Sequence, residues 1–384
     1  CHKQFAAPYH VYRDYLGGVP EWFTWNWAGL HEVVKKIVLR DGHLMWPGGC
    51  DYWPYTHVGY GVYHALMAEA LRCGLSLWCV EKTLLHAVAE QDANGDGSLC
   101  SRRRPNFSLA WQATYTGFVI WEHLFAPYKG VAEIGGEEAE AARGGAFVSD
   151  HADIVVQNRG RLASSFCWQP VYAKGQALGS VLPSDDSGWS DVWSSIPNLV
   201  GTVRLKPGHE RRIEPCTPDG YISHYRVRGS DPGELPQQRR RHAQGRVGGA
   251  VWSIGHLLDS EGDVLHTIGT LAAPDAVVHI ERFVKYGEKQ PIGGVEALNY
   301  HLENNPVDRP AFHVAWSGGE ADVTAVEWEV PNPGDVLVFD RKLALVRLHG
   351  NTRLRVRQFL SAPLRQGRRM PVWRLRVWGD PLDP

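Results

Sequence analysis

DGHLMWPGGCDYWPYTHVGYGVYHALMAEA, residues 41–70, passes from a loop into a helix, and its reading decides what the first part of the chain builds. Pro47, Gly48, Gly49 and Pro54 punctuate the loop and predict no regular helix before about Thr56. From Val58 onward, Val58, Val62, Leu66 and Met67, with Ala70 and Leu71, recur at helical spacing until Arg72, Cys73 and Gly74 end the run. Trp46, Asp51, Tyr52, Trp53, Tyr55, His57 and Tyr60 therefore gather at a helix entrance. Rigid aromatics, phenols and an imidazole in such a place suit a sugar-binding or proton-transfer site. They suit equally a set of anchors pinning a long loop to the core.

Working outward, residues 1–128 read as helices joined by long connections. Tyr9, Val11, Tyr12, Tyr15 and Leu16 predict a short first helix, broken by Gly17, Gly18 and Pro20. Trp22, Phe23, Trp25 and Trp27 lead into a second, whose stripe Leu30, Val34, Ile37 and Val38 ends at Asp41-Gly42. The third follows Tyr55. Ser76 is the expected N-cap of a fourth and Ser108 of a fifth, which Pro127 stops. Five helices without intervening strands predict an all-α layer, such as part of an α/α toroid. A complete toroid needs more helices, so an N-terminal portion is expected to be missing from the chain.

Residues 129–146, with GEEAEAARGGA at Gly136 to Ala146, read as an exposed linker and domain boundary. Beyond it the apolar period changes from 3.6 to 2. Ile154–Gln157, Leu162–Trp168, Tyr221–Arg228, Val264–Leu271, Val277–Phe283, Val336–Phe339, Leu343–Leu348 and Val372–Val377 alternate or run apolar between turn residues. Many short strands predict an antiparallel β-sandwich over 147–384, with Glu288–Asn305 as a long loop or short helix. The fold class is thus α+β multidomain: a partial toroid, then a sandwich.

The 384-residue length fits two domains, and no apolar run approaches the roughly 20 residues of a membrane helix. A net charge of −2 supplies no global attraction for nucleic acid or anionic lipid. The basic runs Arg102–Arg104 and Arg239–Arg241 lack aromatic interleaving and read as solvated loops. Sixteen Trp exceed fourteen Tyr and eleven Phe, a bias that suits stacking on sugar faces as well as filling a core. Seven Cys without C-x-x-C pairs argue against a zinc ribbon and outline no disulfide framework. Cys1 stands first and no signal peptide follows, so the chain reads as a fragment or a processed form, and localisation stays open.

Asp92-Ala93-Asn94-Gly95-Asp96-Gly97 resembles the opening of a calcium loop, but Arg103 occupies the twelfth position, where a bidentate Glu belongs. Calcium at Asp92, Asn94 and Asp96 gives way to a polar turn. G-x-S-x-G, P-loop, dinucleotide and H-E-x-x-H signatures do not occur. Paired carboxylates for glycoside hydrolysis stay open, with Glu21, Asp51 and Glu69 in the aromatic region. In WFTWNWAGLH, Asn26 stands at a helix entrance and His31 five residues on, off the same face. The Asn26 amide can hydrogen-bond a substrate carboxylate or cap the helix.

DYWPYTHVGYGVYHALMAEALR (Asp51 to Arg72) and NWAGLH (Asn26 to His31), with the helical half preceding a strand-rich half, resemble the heparinase II/III-like polysaccharide lyases. That resemblance implies a toroid joined to a sandwich, a secreted or periplasmic setting, and β-elimination on a uronate-containing acidic glycan. It also implies Asn26 or His31 as the group neutralising the carboxylate, and Tyr55, Tyr52 or His57 as base and acid, Tyr55 first. No metal is required. The family's sandwich typically begins with an H-x-H-x-D segment; FVSDHADIVVQNRG offers only His151 and Asp153, so His151 is the candidate third member. Trp25, Trp46, Trp53, Asp51 and Tyr60 are the candidate substrate-binding side chains. A glycoside hydrolase on the same architecture and a non-catalytic carbohydrate-binding protein are the rivals. Which glycan, and the oligomeric state, stay open.

Overall fold

The computed structural model describes residues 3–45, 53–94, 128, 130–168, 178–185, 202–205, 212–213, 241–258, 264–285, 292–304, 312–324, 327–350, 352–361, 364–365, 368–369 and 372–381, with isolated positions at 117, 120 and 123. Among these, helices and antiparallel sheets divide the chain into two units, one running to Gly145 and one from Ala146. The chain is therefore an α+β protein.

The first unit contains α1 (Lys3–Tyr15), α2 (Glu21–Thr24), α3 (Trp27–Lys35), α4 (Trp53–Leu71), α5 (Gly74–Asn94) and α6 (Gly136–Ala142). α4 starts at Trp53, three residues before the expected Thr56. Pro54 sits in the first turn, where backbone N–H groups have no intrahelical acceptor and proline costs little. The helix ends as the sequence predicts: Arg72 takes a left-handed φ of 54° and α5 begins two residues later. α3 stops at Lys35, short of Val38, and the chain turns back through a tight hairpin in which Val38 bridges Leu44. Val38 and Leu39 are fully buried there. The helix expected from Ser108 falls almost wholly outside the described residues.

Two sequence-based expectations are corrected here. Ser76 lies inside α5 rather than capping it, with its hydroxyl turned to His31 and His64. The expected linker contains α6, which is docked and not extended. Its first turn is closed by the Gly135 N–H donating to Glu138 Oε2 at 3.0 Å. Ala139 is fully buried, and the Arg143 guanidinium, 2% exposed, donates to the Val38 carbonyl at 3.2 Å and to Glu140. Burying Ala139 and satisfying a guanidinium outweigh the Gly-rich composition that suggested a flexible tether.

In the second unit the described pairings are all antiparallel. β1 (Gly145–Ser149), β2 (Ile154–Asn158), β3 (Leu162–Cys167) and β4 (Leu178–Pro183) form one meander. β5 (Thr202–Leu205) and β6 (Arg212–Ile213) pair as a short hairpin. β7 (Arg241–Val247), β8 (Ala250–Leu258), β9 (Val264–Ala273) and β10 (Ala276–Lys285) form a second meander. After β11 (Ile292–Asn304) come β12 (Phe312–Trp316), β13 (Gly319–Val323), β14 (Glu327–Val330), β15 (Val336–Phe339) and β16 (Leu343–Val346). β17 (Thr352–Ser361), β18 (Leu364–Arg365), β19 (Arg368–Arg369) and β20 (Val372–Pro381) complete the chain. The sheet order β14-β17-β20-β11-β5-β6 puts β11 in a central position, and β13-β12-β15-β16 makes a further sheet.

The first two meanders share a core of Val155, Phe166, Trp168, Val251, Ile268 and Ala272. Period-2 alternation supplies it: Val155 pairs with Phe166 and Val251 with Ala272, all pointing inward. The Trp168 indole N–H donates to Ser253 Oγ at 2.6 Å, so its polar edge is satisfied inside the core. β11 replaces the expected loop or helix at Glu288–Asn305. Its Gly, Ala, Leu and Glu residues carry little strand propensity, and pairing on both edges with β20 and β5 decides its conformation. The strand expected at Tyr221–Arg228 lies outside the described residues.

Candidate functional site

Among the described residues the helical unit holds a cleft of about 410 Å³ lined by Tyr9, Val19, Thr24, Asn26, Trp27, Ala28, Gly29, Ala70 and Leu71. Aromatic packing builds it. Phe5, Tyr9, Tyr12, Trp22, Phe23 and Trp27 interlock α1, α2 and α3, with ring centroids 5.4–6.4 Å apart and mostly steep interplanar angles. The C-terminal turn of α4 supplies the remaining wall through Ala70 and Leu71.

Asn26 sits at the hinge between α2 and α3 in a left-handed conformation, φ 60° and ψ 12°. Its carbonyl accepts the Leu30 N–H at 3.0 Å, the first bond of α3, but its side chain makes no capping hydrogen bond. The N-cap alternative is thus not realised by the side chain. The amide is exposed, lines the cleft and lies over Gly29: a Cβ added to Gly29 would stand 2.4 Å from Asn26 Oδ1. Only a glycine leaves the amide that space.

Tyr9, read in the sequence only as part of the first helix and not as a site residue, lines the same cleft at 8% exposure. Burial, and then the Glu69 carboxylate, raise its phenol above the ordinary range, while Arg13 and Arg72 pull it down. At neutral pH it is a protonated donor. Glu69 is itself bound by Arg13, which also holds Asp14 at 2.7 Å. The Asn26 amide and the Tyr9 phenol are neutral hydrogen-bond donors that suit an oxygen ligand, whereas the Arg13 guanidinium is already engaged by Glu69 and Asp14. The one signal that could have found Tyr9 is its place on the buried stripe of α1.

His31 does not belong to this cleft. It is 2% exposed, with Nδ1 2.8 Å from the Tyr63 hydroxyl and Nε2 3.1 Å from both Cys73 Sγ and Ser76 Oγ. Burial, and then Lys35, push its pKa down to about 4, so the ring is neutral. Five residues advance roughly 140° around a helix, which turns His31 inward when Asn26 faces out. His31 as a carboxylate-neutralising group is therefore corrected to an interior pin between α3, α4 and α5. Tyr60, expected on substrate, is buried at 8% exposure. Trp25 is 77% exposed, between the cleft-lining Thr24 and Asn26.

Trp46, Asp51 and Tyr52 lie outside the described residues. Trp53, Tyr55 and His57 are placed on the first turns of α4 by their backbone, and their side chains lie outside the description. Their position still constrains the chemistry. Ala70 is fifteen residues beyond Tyr55 on one helix, a rise of roughly 22 Å. Tyr55 and Asn26 therefore do not meet on one sugar ring at the cleft, and the expected convergence is corrected. His151 is on an exposed turn between β1 and β2 of the second unit, and Asp153 of the same H-x-D is turned inward, 3.0 Å from His242 Nε2.

Asp92 and Asn94 belong to the last turn of α5, and Asp96 lies outside the described residues. No group of three or more His, Cys, Asp or Glu among the described residues is placed to hold a metal ion. No described helix is long and apolar enough to cross a membrane.

No family model and no curated protein matches the chain. Among solved structures, the GH36 alpha-galactosidase AgaB from Geobacillus stearothermophilus is similar at a TM-score of 0.31 and 9% identity. That match covers 60% of this chain and 37% of the galactosidase. A likeness of that size carries no argument about fold or activity.

Proposed function

We propose that the chain binds a uronate-containing acidic glycan in the helical unit, with a sugar carboxylate at Asn26, and that it belongs to an α/α-toroid and β-sandwich lyase cutting such glycans by β-elimination. The carrying observation is the Asn26 amide: held in a left-handed conformation, unspent on the helix end, and exposed in a cleft beside a protonated phenol. Removing the proton beside a uronate carboxylate builds a second negative charge, and donors aimed at the carboxylate stabilise it. Asn26 supplies such donors. Tyr9 is suited to protonating the leaving oxygen, because a phenol held protonated at neutral pH is an acid and a poor base. The base has to reach the same ring whose carboxylate lies at Asn26, and Tyr55, about 22 Å along α4 from the cleft, does not, so the lyase reading leaves the base at this cleft unassigned.

That span favours a second reading on a specific observation. The roughly 22 Å rise between Tyr55 and Ala70 leaves the cleft able to bind without cutting. A panel of uronate polysaccharides separates the readings. A lyase releases an unsaturated uronate that absorbs in the ultraviolet, and a hydrolase releases reducing ends without that absorbance. A binding protein does neither. Asn26→Ala should abolish the ultraviolet signal and weaken binding. Unchanged turnover in that variant ends the lyase reading at this cleft.

A further inference from the structure

The aromatic cluster that builds the cleft leaves Trp22 largely outside, and Trp25, close by in the chain, is outside as well. Trp22 is 68% exposed and Trp25 77%, whereas Tyr9 beside them is buried. A cluster that served only as core would draw its largest apolar rings inward, since each carries the greatest burial gain. Trp22 is nevertheless held in place. Its ring lies 6.0 Å from Tyr12 at 88° and 5.8 Å from Phe23 at 87°. Perpendicular neighbours fix the plane of an indole, and at 68% exposure most of it stays in solvent.

The position of the two rings names the occupant. Thr24 and Asn26 line the cleft, Trp25 stands between them, and Trp22 is on the single turn of α2 that leads there. The two exposed rings are thus carried on the residues of the chain that lead into the cleft. Whatever sugar ring places its carboxylate at Asn26 has neighbours on the same chain, and the apolar face of a pyranose ring matches an exposed indole. We infer that Trp22 and Trp25 form a stacking subsite for sugar residues adjoining the one in the cleft, so that the protein recognises an oligosaccharide chain and not an isolated sugar. This rests on the reading that the cleft takes an acidic glycan.

The test is calorimetric titration of uronate oligosaccharides of increasing length against the wild type, Trp22→Ala and Asn26→Ala, with sedimentation velocity on each. In the wild type, affinity rises with length. Trp22→Ala flattens that rise, binding the longer oligosaccharides roughly 3- to 10-fold more weakly and leaving the disaccharide unchanged. Trp22→Tyr, which keeps a flat ring, restores much of the loss. An equal loss at every length, or none, overturns the subsite while Asn26→Ala still reports on the cleft. A wild type that binds no acidic oligosaccharide overturns the cleft reading and the subsite together. If Trp22→Ala instead converts an oligomer to a monomer, a second copy of the chain covers the rings and the inference is wrong. Because Trp22 is mostly exposed, the variant is expected to keep the wild-type melting temperature, which checks that it folds.

Discussion

Gly29 and Asn26 show how one missing methyl group sets a functional side chain. Alanine at position 29 would favour the helix by about 1 kcal/mol, yet its Cβ would stand where Asn26 Oδ1 lies. The asparagine side chain is free to swing, so Gly29→Ala should leave the melting temperature within a degree or two of wild type, or raise it. Binding of acidic oligosaccharide should fall at least several-fold. A parallel loss of stability and binding would show that the amide is not the part disturbed.

His31 belongs to the same scale with the opposite meaning. Its folded pKa of about 4 lies below the unfolded value of 6.5, so below pH 6.5 the unfolded chain takes up a proton that the folded chain refuses. Stability of the helical unit should be full above pH 6.5 and fall by about 3 kcal/mol as pH drops to 4, the equivalent of that depression in a nearly fully buried group. Urea midpoints measured across that interval check it. His31→Gln, which keeps a polar side chain for Tyr63 and Ser76 but does not titrate, should flatten the dependence. A slope that survives the substitution assigns it elsewhere.

At the scale of elements, composition misled where tertiary contacts decided. α6 reads as a tether because Glu, Ala and Gly dominate it, but the helix is held by Arg143 beneath it. Arg143→Ala should destabilise the helical unit by roughly 2–3 kcal/mol, since it removes charge-assisted bonds to Glu140 and the Val38 carbonyl at a buried position. Thermal unfolding followed by circular dichroism measures it, and an effect below half a kilocalorie would mean α6 is not docked. β9 and β10 hide a second polar element. The Glu281 carboxylate, 4% exposed, lies 3.2 Å from His279 Nε2 and 3.5 Å from His266 Nε2. Burial opposes its ionisation, but the two imidazoles more than offset that and hold it below the usual carboxylate range. This contribution is present above the unfolded pKa of about 4.5 and is lost as pH falls below it. Glu281→Gln should therefore lower stability at neutral pH and bring the acid limb of the second unit closer to flat.

For the whole molecule, a net charge of −2 means no long-range field draws an acidic ligand in. Attraction has to be local, and Arg72, exposed just beyond the end of α4, carries a guanidinium whose charge reaches the Tyr9 phenol. Arg72→Ala should weaken acidic oligosaccharides roughly 5- to 10-fold and neutral ones of equal length not at all. Equal losses for both would remove charge recognition from that residue.

Periodicity in the sequence was enough to divide the chain into a helical part and a strand-rich part, because burial of one face imposes 3.6 or 2 on any element that folds against a core. It also located the end of α4 at Arg72, and the sequence placed Asn26 at a helix entrance without deciding what its amide does there. It could not say that β11 is a strand, that Ser76 turns inward, or that His31 is sealed away, since each depends on neighbours distant in the chain. Nor could it measure α4, whose length separates Tyr55 from Asn26. Proximity of side chains is a property of the folded backbone, and only the tertiary structure decided that Tyr9, with no motif around it, stands beside Asn26.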